Sequence, residues 1–387
     1  MNNYLDKTLG VLYGVAYGDA LGATIEKLTY EEIQQNHGLV DTIHRDWYKA
    51  KWPKENRNNR MRGNGIITDD TLMMMALLET YFDLERHLDA YDMGKSFVDK
   101  IVYQKRFIPE LDKIGVIQDR LFYPEQYIFL RHVLANCEPR EGGYGNMINC
   151  GAAMYIAPVG IINAGNPRGA YEEAIAFCSG HQASYGLEAA GVLAACVAEG
   201  FGYQADIESV VNVALKYAKD GTKMAIKDIV DLAVELRPIK NDRKEIVRRF
   251  HQCLNMYSPM GDDVHRKREK LGVPSNHYTP SRIFSIEELP MALAYLVLHE
   301  GDAKKAIIDG VNSGRDTDSI GVMIGAISGA LDGNTLVSYA DRQTLRTVNQ
   351  MDFERYGEKI IEIGSKLLNE EISLQTSRLK IMKEVDN

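Results

Sequence analysis

Residues 10–22 read Gly10-Val11-Leu12-Tyr13-Gly14-Val15-Ala16-Tyr17-Gly18-Asp19-Ala20-Leu21-Gly22, with glycine at every fourth position. In a helix that spacing keeps Gly10, Gly14, Gly18 and Gly22 on one face. Each interior glycine costs about 0.8–1 kcal/mol of helix propensity relative to alanine, so a stripe of them needs compensation. Close packing against another helix backbone supplies it, and this is preferred over a ligand-contact role for the glycines as a set. A second stripe, Gly321, Gly325, Gly329 and Gly333, has the same period. In lipid such spacing favours helix pairing, but Asp19 interrupts the first segment and both are too short to cross a bilayer.

Outward from these stripes, most of the chain reads at helical period. Residues 71–82 are dominated by Leu, Met and Ala, strong helix formers. Further helical runs lie near 184–198, 207–218, 291–298 and 352–368, and few stretches alternate apolar and polar residues as a half-buried strand does. Thr29-Tyr30-Glu31-Glu32 has the spacing of a capping box for a helix over 30–36, with Gly38 as its stop. Pro290 suits the first turn of a helix, and Asp302 is placed to cap a helix over 303–311. The fold class is therefore all-α.

The chain has 387 residues, 45% of them apolar, which suffices for a large core. Length alone allows two or three domains at about 150 residues each, but no composition shift marks a boundary. The expectation is one compact multi-helix orthogonal bundle over 1–387, with loop insertions near 42–65 and 256–282. The first insertion carries Trp47, Trp52 and the cationic tract Lys49, Lys51, Lys54, Arg57, Arg60 and Arg62. A long loop of this kind is read more as solvated surface than as a lid. The second carries Asp262, Asp263, His265 and His277.

A formal charge of −9 argues against broad capture of nucleic acid. No apolar run of 18 residues exists, and the N-terminal residues lack the features of a secretory signal, so neither a membrane span nor export is expected and the cytoplasm is the expected location. Cys137, Cys150, Cys178, Cys196 and Cys253 are widely spaced and odd in number. They fit reduced core thiols better than a disulfide frame or a zinc site.

Chemistry concentrates in two acidic segments. Thr68-Asp69-Asp70-Thr71 precedes the helical run at 72, and taken alone it reads first as an N-cap with first-turn acids. Asn312-Ser313-Gly314-Arg315-Asp316-Thr317-Asp318-Ser319 precedes the second glycine stripe and repeats the arrangement. If the two segments converge, each close carboxylate contact costs about 4 kcal/mol at 4 Å and an effective dielectric near 20. Convergence then requires cations or protons. Neither segment contains His or Cys, so the hard-oxygen donors point to two divalent ions, Mg²⁺ first and Mn²⁺ as the alternative, rather than zinc or copper.

On these residues the chain resembles the ADP-ribosylglycohydrolase family. The resemblance runs through Gly18-Asp19-Ala20-Leu21-Gly22 with Glu26, Thr68-Asp69-Asp70-Thr71, Asn149-Cys150-Gly151-Ala152-Ala153-Met154 with Ala157-Pro158, His181, and Asp316-Thr317-Asp318-Ser319. It implies an all-helical fold and a binuclear magnesium or manganese centre held by Thr68, Asp69, Asp70, Asp316, Asp318 and Ser319. Glu26 is implied at its mouth as an acid/base or gating residue, and Asp316 as the residue that holds and activates the attacking water. Asp19, Asn149, Gly151, His181, Gly314 and Arg315 are implied around the ligand, with Arg315 offering a cation to phosphate. Gly151 and His181 also have bland readings, as a residue at positive φ and as a locally satisfied histidine.

The implied activity is metal-dependent hydrolysis of the glycosidic bond between ADP-ribose, or a related ribosyl group, and a protein or small-molecule acceptor. Two other readings stay open: a catalytically inactive ADP-ribose-binding or structural module, as in the lens crystallins that resemble this family, and a metal-dependent phosphoesterase. Four positions depart from the family pattern. Arg315 stands for a glycine, Ser319 for threonine, Gly180 for Thr or Ser, and Tyr155 for the arginine that commonly follows Ala-Met. The last exchange is expected to remove a positive charge from the ligand side.

Overall fold

A computed structural model describes residues 3–121, 123–257 and 285–384. The helices in order are α1 (Asn3–Gly22), α2 (Tyr30–Asn36), α3 (Asp69–Leu84), α4 (Ala90–Asp92), α5 (Val98–Val102), α6 (Tyr123–Leu134), α7 (Ala157–Ile162), α8 (Pro167–Cys178) and α9 (Ser184–Gly200). They continue with α10 (Ile207–Tyr217), α11 (Asp220–Leu236), α12 (Arg243–Leu254), α13 (Ser285–Leu298), α14 (Ala303–Val311), α15 (Thr317–Asp332), α16 (Tyr339–Asn349) and α17 (Phe353–Glu384). One antiparallel pair of short strands, Arg106–Ile108 with Lys113–Gly115, is the sheet among the described residues.

The two glycine stripes meet each other. α1 and α15 run antiparallel, with Gly10 opposite Gly329 and Gly333, Gly14 opposite Gly325, and Gly18 opposite Gly321. A methyl group at Gly14 would sit 2.3 Å from the Gly325 carbonyl oxygen, so only glycine admits this approach. The contact ends where the Thr317 hydroxyl donates to the Gly22 carbonyl at 2.8 Å. Both helices are buried along most of their length, and α9, α13 and α14 pack around α15 to extend the core.

Local punctuation follows the expected chemistry at several ends. Thr29 forms the capping box with Glu32, and Asp302 caps α14 through the Lys305 amide. Pro290 differs from expectation. α13 starts at Ser285, so Pro290 lies inside the helix rather than in its first turn, where its missing N–H leaves the Ile286 carbonyl without the usual donor. α17 also runs well past 368, to Glu384, and residues 368–382 are exposed. The insertion at 42–65 is irregular apart from a 3-10 turn at Lys54–Arg57, while the one at 256–282 lies outside the described residues beyond Tyr257. Cys137, Cys150, Cys178, Cys196 and Cys253 are all free thiols.

Gly14→Ala is expected to destabilise the protein by about 3 kcal/mol, because overpacking outweighs the helix propensity gained. A urea midpoint equal to or above that of the parent would contradict the packing assigned to the stripe.

Candidate metal centre

The first turn of α3 and the N-terminus of α15 converge. The Ser319 hydroxyl donates to Asp70 Oδ2 at 3.0 Å, across 249 positions of sequence. Three local devices produce this meeting. The glycine contact sets the end of α1 against the start of α15. Beyond α1, the chain at 27–29 pairs with 314–315: the Lys27 amide donates to the Arg315 carbonyl at 2.8 Å and the Arg315 amide to the Leu28 carbonyl at 2.9 Å. Gly314, at φ +87°, bridges Thr29 in a space where a Cβ would lie 2.7 Å from the Leu28 oxygen. Finally, the Asp19 carboxylate accepts from the Thr68 amide at 2.9 Å, the Thr71 amide at 3.1 Å and the Thr71 hydroxyl at 2.5 Å. Asp19 was expected against substrate, but its oxygens are spent holding the turn that starts α3.

Both helix N-termini thus face a cluster of buried acids, the favourable end of each dipole for negative charge. Thr68 caps α3, accepting from the Asp70 amide. Asp316 occupies the N-cap of α15 but makes no side-chain cap, leaving its carboxylate free for other partners. Carboxylate oxygens of Glu26, Asp316 and Asp318 lie within 4.8 Å of one another. Asp318 Oδ1 is buried without a hydrogen-bond partner.

Guanidinium groups offset part of this charge. Arg62 pairs with Glu26 and, at 2.6 Å, with Glu110, and comes within 4.0 Å of Asp318. Arg120 pairs with Asp69 and Glu110. Despite burial, Arg120 and Arg62 hold Glu110 down to about 2. Arg62 also stacks on Trp47, 5.6 Å from the ring centroid. The cationic tract is therefore not simply solvated surface: its last member is buried and grips the mouth of the site. Arg315 was expected to face phosphate, yet its guanidinium is buried and pairs with Glu287 at 2.7 Å. Asp70, Asp316 and Glu288 have no ion pair among the described residues.

The titration pattern follows from that shortfall. Burial and the neighbouring Asp318 push Asp19 up to about 7 against its three donors. Burial, with Glu26 next, raises Asp318 to about 6. Burial and Asp318 also raise Asp70 and Asp316 well above the carboxylate range. Glu26 goes the other way, because Lys27 and Arg62 outweigh its desolvation and hold it ionised. It thus stays a carboxylate, a hydrogen-bond acceptor or gate rather than an acid.

The remaining expected ligand residues form a neighbouring buried network. Asn149 Oδ1 accepts from the Gly151 amide at 2.9 Å and from Gln182 Nε2 at 2.8 Å. Gly151 does not have positive φ. A Cβ there would lie 2.8 Å from Glu125 Oε1 and 2.9 Å from Asn149 Oδ1, so a larger residue would displace the ends of those side chains. His181 is fully buried, with Nδ1 2.9 Å from the Tyr155 hydroxyl and Nε2 bonded to Glu125. Tyr155 stacks on Phe97 and His181 inside the core, so this departure from the family pattern bears on packing rather than on the ligand side.

Sequence reasoning named Arg62 and Cys150 but not as site residues, and missed Glu110, Arg120 and Glu288 altogether. Only Glu288 left a signal, as one of two adjacent acids at the start of an otherwise apolar helix.

The orphaned oxygens and unneutralised carboxyls fit a divalent metal centre. The carboxylates of Glu26, Asp316 and Asp318 are close enough to one another to share one ion.

The sequence model of the ADP-ribosylglycohydrolase family matches residues 1–375. A protein of Escherichia coli K12, YegU, described as uncharacterized, is 25% identical over 91% of this chain and 95% of its own length. An uncharacterized protein of Archaeoglobus fulgidus is 27% identical over 84% of this chain and 87% of its own. The ADP-ribosyl-(dinitrogen reductase) glycohydrolase of Rhodospirillum rubrum is 30% identical over 42% of this chain and 46% of its own. A solved structure described as an ADP-ribosylglycohydrolase-related protein complex superposes with a TM-score of 0.62 at 17% identity, covering 94% of this chain and all of that one, and so shares the fold.

Raised carboxyl values have a definite sign in stability. Unfolded aspartates titrate near 3.9, so between about pH 4 and 7 the folded chain keeps protons on Asp19 and Asp318 that the unfolded chain has released. That stabilisation is full below about pH 4 and is lost as pH rises through 6 to 7. The chelated protein is expected to melt at lower temperature at pH 8 than at pH 5, with millimolar Mg²⁺ or Mn²⁺ restoring most of the difference. A chelated melting temperature that climbs from pH 5 to pH 8 would contradict the assignment.

Proposed function

The chain belongs to the ADP-ribosylglycohydrolase family, and from that premise we propose that it hydrolyses the bond between the anomeric carbon of an ADP-ribosyl group and its acceptor, using two divalent ions. Family membership supports hydrolase activity on ADP-ribose linkages. The observation that carries the finer reading is the meeting of Asp70 and Ser319 beside Asp316 and Asp318, in a buried site with too few cations.

In this reading Thr68, Asp69, Asp70, Asp316, Asp318 and Ser319 hold the ions. When bound, Mg²⁺ or Mn²⁺ orients ribose hydroxyls, lowers the pKa of water and stabilises developing negative charge. The chain's own residues do the rest. Asp316, with no capping duty, is available to orient the attacking water. Glu26, kept ionised by Lys27 and Arg62, accepts a hydrogen bond from that water, whose proton passes to solvent. Oxygen from water bonds to the anomeric carbon as the bond to the acceptor nitrogen or oxygen breaks through an oxocarbenium-like state. A proton from solvent neutralises the departing acceptor. Burial of the acids excludes bulk water and strengthens these fields. The substrate is an ADP-ribosylated protein or a smaller ADP-ribosyl or ribosyl conjugate.

The direct test offers ADP-ribosylated arginine and serine peptides and small conjugates with Mg²⁺ or Mn²⁺, and identifies products by mass spectrometry before and after chelation. Free ADP-ribose is the expected product, abolished by chelation. AMP or phosphate would instead indicate a phosphoesterase, and no turnover of any conjugate would reject the hydrolase. Asp316→Asn is expected to lower kcat/KM at least about 10²-fold with an unchanged circular dichroism spectrum, the scale of losing one preorganised electrostatic partner. A parental rate would exclude the proposed centre.

A further inference from the structure

Cys150 breaks the all-oxygen character of the acidic centre. Its Sγ lies 3.2 Å from Asp316 Oδ2 and 3.4 Å from Ser319 Oγ. Glu288 shares this corner. It is fully buried, and among the described residues neither carboxylate oxygen has a hydrogen-bond partner beyond its own amide. Ligand atoms of Cys150, Glu288 and Asp316 all lie within 4.8 Å of one another. Two orphaned oxygens on one buried side chain carry a desolvation cost when nothing replaces water. Arg315 acts on Glu288 electrostatically, while its guanidinium pairs directly with Glu287. The other wholly buried thiols have no such company: Cys196, for example, has only a carbonyl oxygen at 4.0 Å.

We propose that Cys150, Glu288 and Asp316 form a mixed sulfur–oxygen site for a thiophilic divalent cation of the Co²⁺, Fe²⁺ or Zn²⁺ class. The site rests on the metal-centre reading above and refines it. Asp316 is common to two donor groups, the all-oxygen group with Glu26 and Asp318, and the sulfur-bearing group with Glu288. The first suits Mg²⁺ or Mn²⁺, whereas a thiolate ligand selects softer ions. On binding, the Cys150 thiol releases its proton to solvent and the sulfur takes up the cation, with no change of oxidation state. The two positions of the centre are thereby made chemically unequal by a residue of this chain.

Anaerobic titration of the chelator-stripped full chain with Co²⁺ tests the site without reference to activity. A near-ultraviolet thiolate-to-cobalt charge-transfer band is expected to saturate at about one ion per chain. It should vanish in Cys150→Ser and persist in Cys178→Ser, which replaces a different buried thiol. Glu288→Gln is expected to weaken Co²⁺ binding at least about tenfold. Cobalt bound by calorimetry with no such band, or a band that survives Cys150→Ser, overturns the sulfur site while leaving the metal centre standing. A wild-type chain that binds no divalent ion removes both. Where Cys150→Ser does not fold, alkylation of the wild-type thiol decides: Co²⁺ should slow labelling of Cys150 at least about tenfold relative to Mg²⁺, and equal rates overturn the proposal.

Discussion

The contact between α1 and α15 is the constraint from which the site follows. Two helices that present glycine to glycine approach until backbone meets backbone, a spacing that any side chain at Gly14, Gly18, Gly321 or Gly325 would prevent. Such contact also fixes register, since a one-residue slip would place bulkier neighbours at the interface. Register then determines chemistry. Gly22 abuts Thr317, Glu26 comes beside Asp316 and Asp318, and Asp19 reaches the turn at Thr68–Thr71. Helix propensity lost at the glycines is thus offset by packing that orders three acid-bearing segments at once.

Electrostatics at that junction is arranged but incomplete. Arg62 and Arg120 bracket Glu110 and extend to Glu26 and Asp69, forming a buried network of alternating sign. Arg315 answers Glu287. Breaking such pairs by removing one partner is costly, because it leaves an uncompensated buried charge. Beyond the reach of these cations, Asp70, Asp316 and Glu288 keep an excess of negative charge that protons or metal ions must neutralise. The arginines organise the rim, and under the proposed function the central acids are the part of the site left for divalent ions.

Much of this was legible in the chain itself. The period-four glycines identified the packed helices, Thr29 with Glu32 and Asp302 marked helix starts, and the duplicated Thr-Asp-Asp and Asp-Thr-Asp-Ser segments are the two that meet. These features are local, and their physics acts within one turn or one helix face. What escaped depends on distant partners. Nothing near Arg62 in sequence announces Glu110 or Trp47 as its neighbours, and a lone His181 gives no sign of lying between Tyr155 and Glu125. Arg315 looked like a free cation because Glu287 lies 28 positions away on another helix. Pro290 suggested a helix start because proline is usual there, but α13 had already begun at Ser285.

The claim that two distant acidic segments together hold divalent ions is tested most directly by anomalous scattering from a crystal grown with Mn²⁺. The account predicts manganese density in coordination contact with both Asp70 and Asp316. Density confined to one segment, or none at either in a well-ordered crystal at saturating Mn²⁺, would contradict it.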